Sequence, residues 1–190
     1  ALAHLHERCI VHRDVKADNL LLAHEGRDAP VKLADFGVAR RWPQGEHMHT
    51  ACGTPFYVAP EVVAGDGYSG GLSDCWSAGV VLYIMLCGFP PFAEDDMALL
   101  FALIMTGTYN FPSPSWDSVS AGAKEAVRML LTVDVSKRPS PHEFLSRCKW
   151  ASGAAPDVCL DVRSELAKTQ SLARAGRKVV LLQRLLPKPR

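Results

Sequence analysis

The stretch His12-Arg13-Asp14-Val15-Lys16-Ala17-Asp18-Asn19 decides the reading of this chain. It is a polar loop set between the apolar pair Ile10-Val11 and a short strand expected over Leu20–Leu22. Upstream, Ala1–Glu7 reads as the end of a helix. Downstream, a loop containing Gly, Asp and Pro leads to a second strand over Val31–Ala34, with Asp35-Phe36-Gly37 at its end. Residues 38–58 show no period and hold Gly, Pro, His and Thr, which predicts a long mobile loop; loops of that length in ordered domains are usually functional. Ala59-Pro60-Glu61 closes it.

The remainder reads as helix. Ser73 is the expected N-cap of a very apolar helix running to Cys87, stopped by Gly88 and the Pro90-Pro91 pair. Further helices are expected over residues 95–106, 120–131 and 141–148. Pro156 breaks the pattern, and a basic segment over 160–186 follows, closed by Pro187 and Pro189. No internal repeat is visible.

Composition narrows the function classes. A chain of 190 residues fits one domain that buries about 70% of its unfolded surface. The formal net charge is +1, so no bulk field points to nucleic acid or to a membrane surface. That average conceals an asymmetry. From residue 161 onward eight basic residues face only Asp161 and Glu165, giving +6, while the 13 basic and 18 acidic residues before them give −5. A weakly acidic body with a basic tail is a regulatory or interaction pattern. The six cysteines (Cys9, Cys52, Cys75, Cys87, Cys148, Cys159) contain no C-x-x-C pair, which predicts reduced thiols in the cytoplasm or nucleus. The longest apolar run, Ala78–Cys87, is too short to span a bilayer and reads as a buried helix.

The three motifs, H-R-D followed by four residues and Asn, then D-F-G, then A-P-E, resemble those of eukaryotic protein kinases in order and spacing. The resemblance covers residues 1–150, with residues 151–190 left as a basic C-terminal regulatory tail. It implies a mainly α fold with a few short β-strands: the large, C-terminal lobe of the protein kinase fold, with the small lobe absent. It also implies ATP:protein phosphotransfer, a reaction that leaves a protein little covalent chemistry, so that positioning and charge neutralisation dominate. In that scheme Asp14 is the base that accepts the substrate hydroxyl proton. Asn19 and Asp35 are hard oxygen ligands for Mg²⁺ at the ATP site. Lys16 brings a positive charge to the transferring phosphoryl group. Each of these residues alone would be an ordinary solvated loop residue; the set together specifies a site.

Lys16 and Gly53-Thr54-Pro55 resemble serine/threonine kinases rather than tyrosine kinases. The resemblance gives Thr54 a bridging hydroxyl between Asp14 and Lys16, and makes Ala51, Pro55 and Val58 an apolar pocket for the substrate residue after the acceptor. Arg13 before the base marks kinases switched by activation-loop phosphorylation. Thr50 stands where calmodulin-dependent kinases carry the threonine modified by an upstream kinase, and its phosphate would be clamped by Arg13 and Arg40. Asp74 resembles the buried helix aspartate that holds the catalytic-loop backbone. Arg138 resembles the partner of Glu61. Ala17 and Asp18 depart from the common Pro and Glu, and Phe56 from a residue usually small or acidic, which bears on substrate preference.

Gly65-Asp66-Gly67-Tyr68-Ser69-Gly70 fits G-x-G-x-x-G, but it follows a short helix and lies after Ala59-Pro60-Glu61, so it reads as a connector and not as a phosphate-binding loop. Lys32, on the strand into Asp35, is not an ATP-anchoring lysine. With no phosphate-binding glycine loop, the expectation is a fragment of a longer product, inactive alone. Phe89-Pro-Pro-Phe92, Trp116-Asp-Ser-Val-Ser120 and Trp150 resemble the calcium/calmodulin-dependent group. In the tail, Leu172, Val179, Leu182 and Leu186 share a helical face ringed by Arg174, Arg177, Lys178 and Arg184, which makes 165–190 a candidate calmodulin site. Gly176 opposes that helix by about 1 kcal/mol. The competing class is a kinase-like pseudoenzyme or calmodulin-binding scaffold. Ala29–Ala39 is similar to the kinase-like domain of certain membrane-associated scaffolds, but those have a degraded metal motif and Asp35 is intact here.

Overall fold

The computed structural model describes residues 1–25, 29–43, 46–50, 52–68 and 70–153. Helix dominates: α1 (Leu2–His6), α2 (Pro60–Ala64), α3 (Gly70–Cys87), α4 (Met97–Thr106), α5 (Ala121–Leu130) and α6 (Pro141–Arg147). Four short strands, β1 (Ile10–Val11), β2 (Leu20–Leu22), β3 (Val31–Leu33) and β4 (Arg40–Arg41), make two antiparallel pairs, β1 with β4 and β2 with β3. The basic segment expected over 160–186 and the calmodulin candidate at 165–190 lie outside the described residues.

The core is built on α3. Val80, Val81, Tyr83, Ile84 and Trp76 on this helix are buried, and Trp76 stacks on Phe92 with ring centroids 5.7 Å apart. Tyr83 gathers Trp116 at 4.6 Å and Phe111 at 6.0 Å, so the turn after α4 is held by aromatic rings rather than by regular structure. α5 is amphipathic, burying Ala123, Ala126, Val127 and Leu130 along one face. It crosses α3 at Gly79, where a Cβ would come within 2.7 Å of Leu130 Cβ. By length and a mean hydropathy of 1.4, α3 could pass for a membrane span; here it is the buried centre of the domain.

Local chemistry sets the helix ends. Asp96 caps α4 by accepting from the amides of Ala98 and Leu99. Ser140 and Glu143 form a reciprocal capping box at α6. At α3 the expectation fails: the helix starts at Gly70, and Ser73 is no cap. Its hydroxyl donates back to the Gly70 carbonyl, 2.6 Å away, from inside the first turn. Residues 38–58 hold more structure than their aperiodicity suggests. Arg40 and Arg41 pair with Val11 and Ile10, Met48 bridges to Tyr68, and Pro55–Tyr57 forms a 3-10 turn. The glycine-rich stretch joins α2 to α3. Gly65 ends α2 at φ 76° and Gly67 takes φ 93°, left-handed values that suit a connector.

Candidate active site

β1 delivers the chain into the loop with an abrupt change of direction at Arg13, whose φ is 68°. A left-handed non-glycine residue is costly and must be held in place from outside. Asp74 does this from α3. Its Oδ2 accepts from the His12 amide at 2.9 Å and its Oδ1 from the Arg13 amide at 2.8 Å, and it is only 1% exposed. The same Oδ2 lies 3.0 Å from His6 Nε2, at the end of α1. His12 itself is fully buried. Its Nε2 donates to the Ala34 carbonyl at 3.0 Å, and its ring meets Phe36 edge-on at 5.0 Å.

Downstream of Arg13, Asp14 becomes the centre of a small polar cluster. Lys16 Nζ donates to Asp14 Oδ2 at 2.6 Å and to Thr54 Oγ1 at 3.2 Å. The Thr54 hydroxyl donates to Asp14 Oδ1 at 3.0 Å. Asn19 Nδ2 donates to the Asp14 carbonyl at 2.8 Å and to Oδ2 at 3.2 Å. Lys16 and Asp14 are largely enclosed, so this pair is a charge-assisted bond in reduced dielectric. Gly53 makes the approach of Thr54 feasible: at φ 117°, a Cβ there would sit 2.9 Å from the Arg13 carbonyl.

Asp35 reaches the same end of the molecule by strand pairing. The β2–β3 register sets Leu20 opposite Leu33, and the Ala34 amide donates to the Asn19 carbonyl at 2.8 Å. Asp35 is therefore the next residue along from the Asn19 contact. It takes φ 60°, is exposed, and its Oδ1 accepts from the Gly37 amide at 3.1 Å. An amide oxygen and a carboxylate carried by adjacent strand ends are hard donors of the kind that suit Mg²⁺. The described residues hold no group of three or more His, Cys, Asp or Glu able to cage a metal alone.

The loop that carries Thr50 is tied to the α2–α3 connector, where the Tyr68 hydroxyl donates to the Thr50 carbonyl at 3.0 Å. Arg13 Nε donates to the Val38 carbonyl at 2.6 Å, while its Nη1 is buried with no hydrogen-bond partner among the described residues. Burial raises the Tyr68 hydroxyl to about 12 and pushes the neighbouring Cys52 thiol up, with the Arg13 guanidinium opposing in both cases. Arg40 is exposed on β4, and no hydrogen bond or ion pair joins it to Thr50 among the described residues. Pro55 and Val58 are buried; Ala51 lies outside the described residues. Farther off, Arg138 grips Glu61 through Nη1 to Oε1 at 2.7 Å and Nη2 to Oε2 at 2.9 Å.

The structure thus brings together Asp14, Lys16, Asn19 and Thr54, seats Asp35 on the adjoining strand end, and pairs Glu61 with Arg138. Sequence reasoning passed over His6, and took His12 as a motif residue without foreseeing its buried contacts. Neither has a spacing that announces its contact: His6 reaches Asp74 across 68 positions of the chain.

Comparison with known proteins gives the same direction. The chain is 43% identical over 167 residues to a probable myosin light chain kinase of Dictyostelium discoideum, covering 87% of this chain and 47% of that protein. It is 45% identical over 155 residues to calcium/calmodulin-dependent protein kinase type 1 of Macrobrachium nipponense, covering 82% and 44%. It is 48% identical over 149 residues to the human serine/threonine-protein kinase DCLK3, covering 76% and 22%. The chain therefore spans less than half the length of these relatives. The Protein kinase domain family matches residues 1–150, which is most of the chain, and the protein belongs to that family.

Proposed function

We propose that this chain carries the catalytic and substrate-binding half of a serine/threonine protein kinase of the calcium/calmodulin-dependent group. The observation that carries this reading is the Asp14–Lys16–Thr54 triangle, in which a carboxylate, an ammonium and a short hydroxyl meet within 3.2 Å. Asp14 accepts the proton of a serine or threonine hydroxyl as its oxygen bonds to the γ-phosphorus and the bond to the ADP oxygen breaks. Lys16 offsets negative charge on the transferring group, and Thr54 fixes Asp14 from the side on which a peptide arrives. Asn19 and Asp35 would hold Mg²⁺, which would supply positive charge against the phosphate oxygens.

In the full-length protein, Asp14→Asn should lower kcat for a Ser/Thr peptide by about 10²–10⁴-fold with little change in fold. Phosphate transfer from ATP that survives this change, or that requires a tyrosine acceptor, refutes the reading.

Thr50 is the proposed activating site for an upstream kinase. The buried Nη1 of Arg13, without a hydrogen-bond partner among the described residues, supports it, since a phosphate near Tyr68 would supply an acceptor. Arg40 would join only by moving its exposed side chain. The basic segment 165–190 is the proposed calmodulin site, supported by its charge and apolar spacing and by the calmodulin-dependent relative. The free thiols of Cys9, Cys52, Cys75 and Cys148 suit a reducing compartment, the cytoplasm or nucleus.

A further inference from the structure

The run Glu46–Thr50 is tied down at every second residue. The Trp42 indole donates to the Glu46 carbonyl at 2.6 Å, Met48 exchanges backbone hydrogen bonds with Tyr68 at 3.0 and 2.9 Å, and the Tyr68 hydroxyl donates to the Thr50 carbonyl at 3.0 Å. Met48 is buried, which leaves the alternate residues, His47 and His49, exposed on the outside of the run. Gly67 lies against both of them. A Cβ on this glycine would stand 2.8 Å from His49 Cε1, 3.3 Å from His49 Nδ1 and 3.2 Å from His47 Cβ. The two imidazoles therefore start from one spot, over a residue with no side chain to hold them apart. Neither ring has a hydrogen bond or ion pair among the described residues.

We propose that His47 and His49 form a two-imidazole site for a divalent transition metal of the Zn²⁺, Ni²⁺ and Cu²⁺ class. Imidazole nitrogen suits these ions, whereas Mg²⁺ and Ca²⁺ take oxygen. An i, i+2 pair on one side of an extended run lets both rings reach a single ion at the usual Zn–N separation of about 2.0–2.1 Å. Two protein ligands leave the other positions of the ion to water, so the site is open and exchangeable rather than a structural cage. The anchored run supplies preorganisation: Glu46, Met48 and Thr50 are already held, so binding orders only two side chains. A bound ion would in return tie residue 47 to residue 49 across the Met48–Tyr68 bridge and hold that bridge closed. The site shares no residue with the proposed Asn19–Asp35 metal site and does not rest on the kinase reading.

The test is calorimetric titration of ZnCl₂ into the 190-residue chain, near neutral pH and in excess Mg²⁺. One equivalent should bind, and His47→Ala and His49→Ala should each weaken it by at least about tenfold, because either loss turns a chelate into a single contact. His142→Ala, which removes an exposed imidazole on α6, should change the affinity by less than about twofold. The chain unfolded in urea should bind at least about tenfold more weakly, since only the fold sets both rings against Gly67. In the folded chain Zn²⁺ should slow amide exchange at Met48 and Tyr68 relative to Leu130 in α5. The proposal falls if binding does not saturate, survives either loop variant, drops equally with His142→Ala, or is as tight in urea. It falls equally if Zn²⁺ leaves exchange at Met48 and Tyr68 unchanged. Should an alanine variant fail to fold, the urea and exchange measurements on the parent chain decide alone.

Discussion

Arg138 has no exposed side-chain surface, and every nitrogen of its guanidinium is committed. Nε donates to the Thr132 carbonyl, Nη1 to Glu61 and the Leu72 carbonyl, and Nη2 to Glu61 and the Val133 carbonyl. Glu61→Ala would leave that cation enclosed with only carbonyls and the Trp76 ring, 5.0 Å away, as partners. We expect a loss of roughly 3–5 kcal/mol in urea unfolding, against a much smaller loss when both partners are replaced by apolar residues of similar volume. Cys75 gives a second residue-level prediction. Burial, aided by the neighbouring Asp74 carboxylate, pushes its thiol to about 12. Its thiolate is therefore scarce at pH 8, and alkylation by iodoacetamide should lag far behind that of the half-buried Cys9, as a mass-spectrometric time course would show. At this scale the sequence was most readable where side chains sit inside motifs: Asp14, Lys16, Asn19, Asp35 and Thr54 could be named because their neighbours name them. His6 could not, since a lone histidine near a helix end has no local feature that foretells an aspartate on another helix.

Elements were readable where a period or a cap marked them, and unreadable where packing overruled local preference. α5 and α6 begin within a residue of expectation because Ser120 and Ser140 are true caps. α3 begins four residues early: Gly70 and Gly71, poor helix formers, open it where a side chain would crowd Val11, Met48 and His6. The β1–β4 pair is two residues long, too short to carry any alternation. The α3–α5 crossing yields a prediction. Gly79→Ala would drive a methyl to 2.7 Å from Leu130 Cβ and 3.0 Å from Leu131 Cδ2, so stability should drop by about 1–3 kcal/mol despite the better helix former. The turn leading to Arg138 yields another. Asp134 is lowered to about 2, first by the Ser136 hydroxyl and then by Lys137, and its carbonyl accepts the amides of Lys137 and Arg138. A carboxyl lowered on folding lends stability above its ordinary value of 3.8, and loses it as pH falls toward 2. Asp134→Asn should flatten that part of the acid-unfolding profile, read as the urea midpoint against pH.

At the scale of the whole molecule, the helix-rich class and the order of the motifs were legible from patterning, while the seating of Asp14 against Thr54 needed three dimensions. The β2–β3 hairpin leaves Leu21 and Phe36 each 49% exposed beside the residues proposed to hold Mg²⁺. The G-x-G-x-x-G-like stretch joins two helices rather than a strand to a helix, the wrong setting for a phosphate-binding loop. The 190-residue chain alone should therefore transfer no phosphate from ATP to a Ser/Thr peptide, and radiolabel appearing on the peptide would overturn this. One consequence follows from where Asp74 is mounted. The shape of the reactive loop hangs on a side chain rooted in α3, the same helix around which the aromatic core condenses. Heat cannot slacken that loop gradually while the interior survives, nor melt the interior and spare the loop. A warmed population should sort into intact molecules and collapsed ones, with no half-competent class between them.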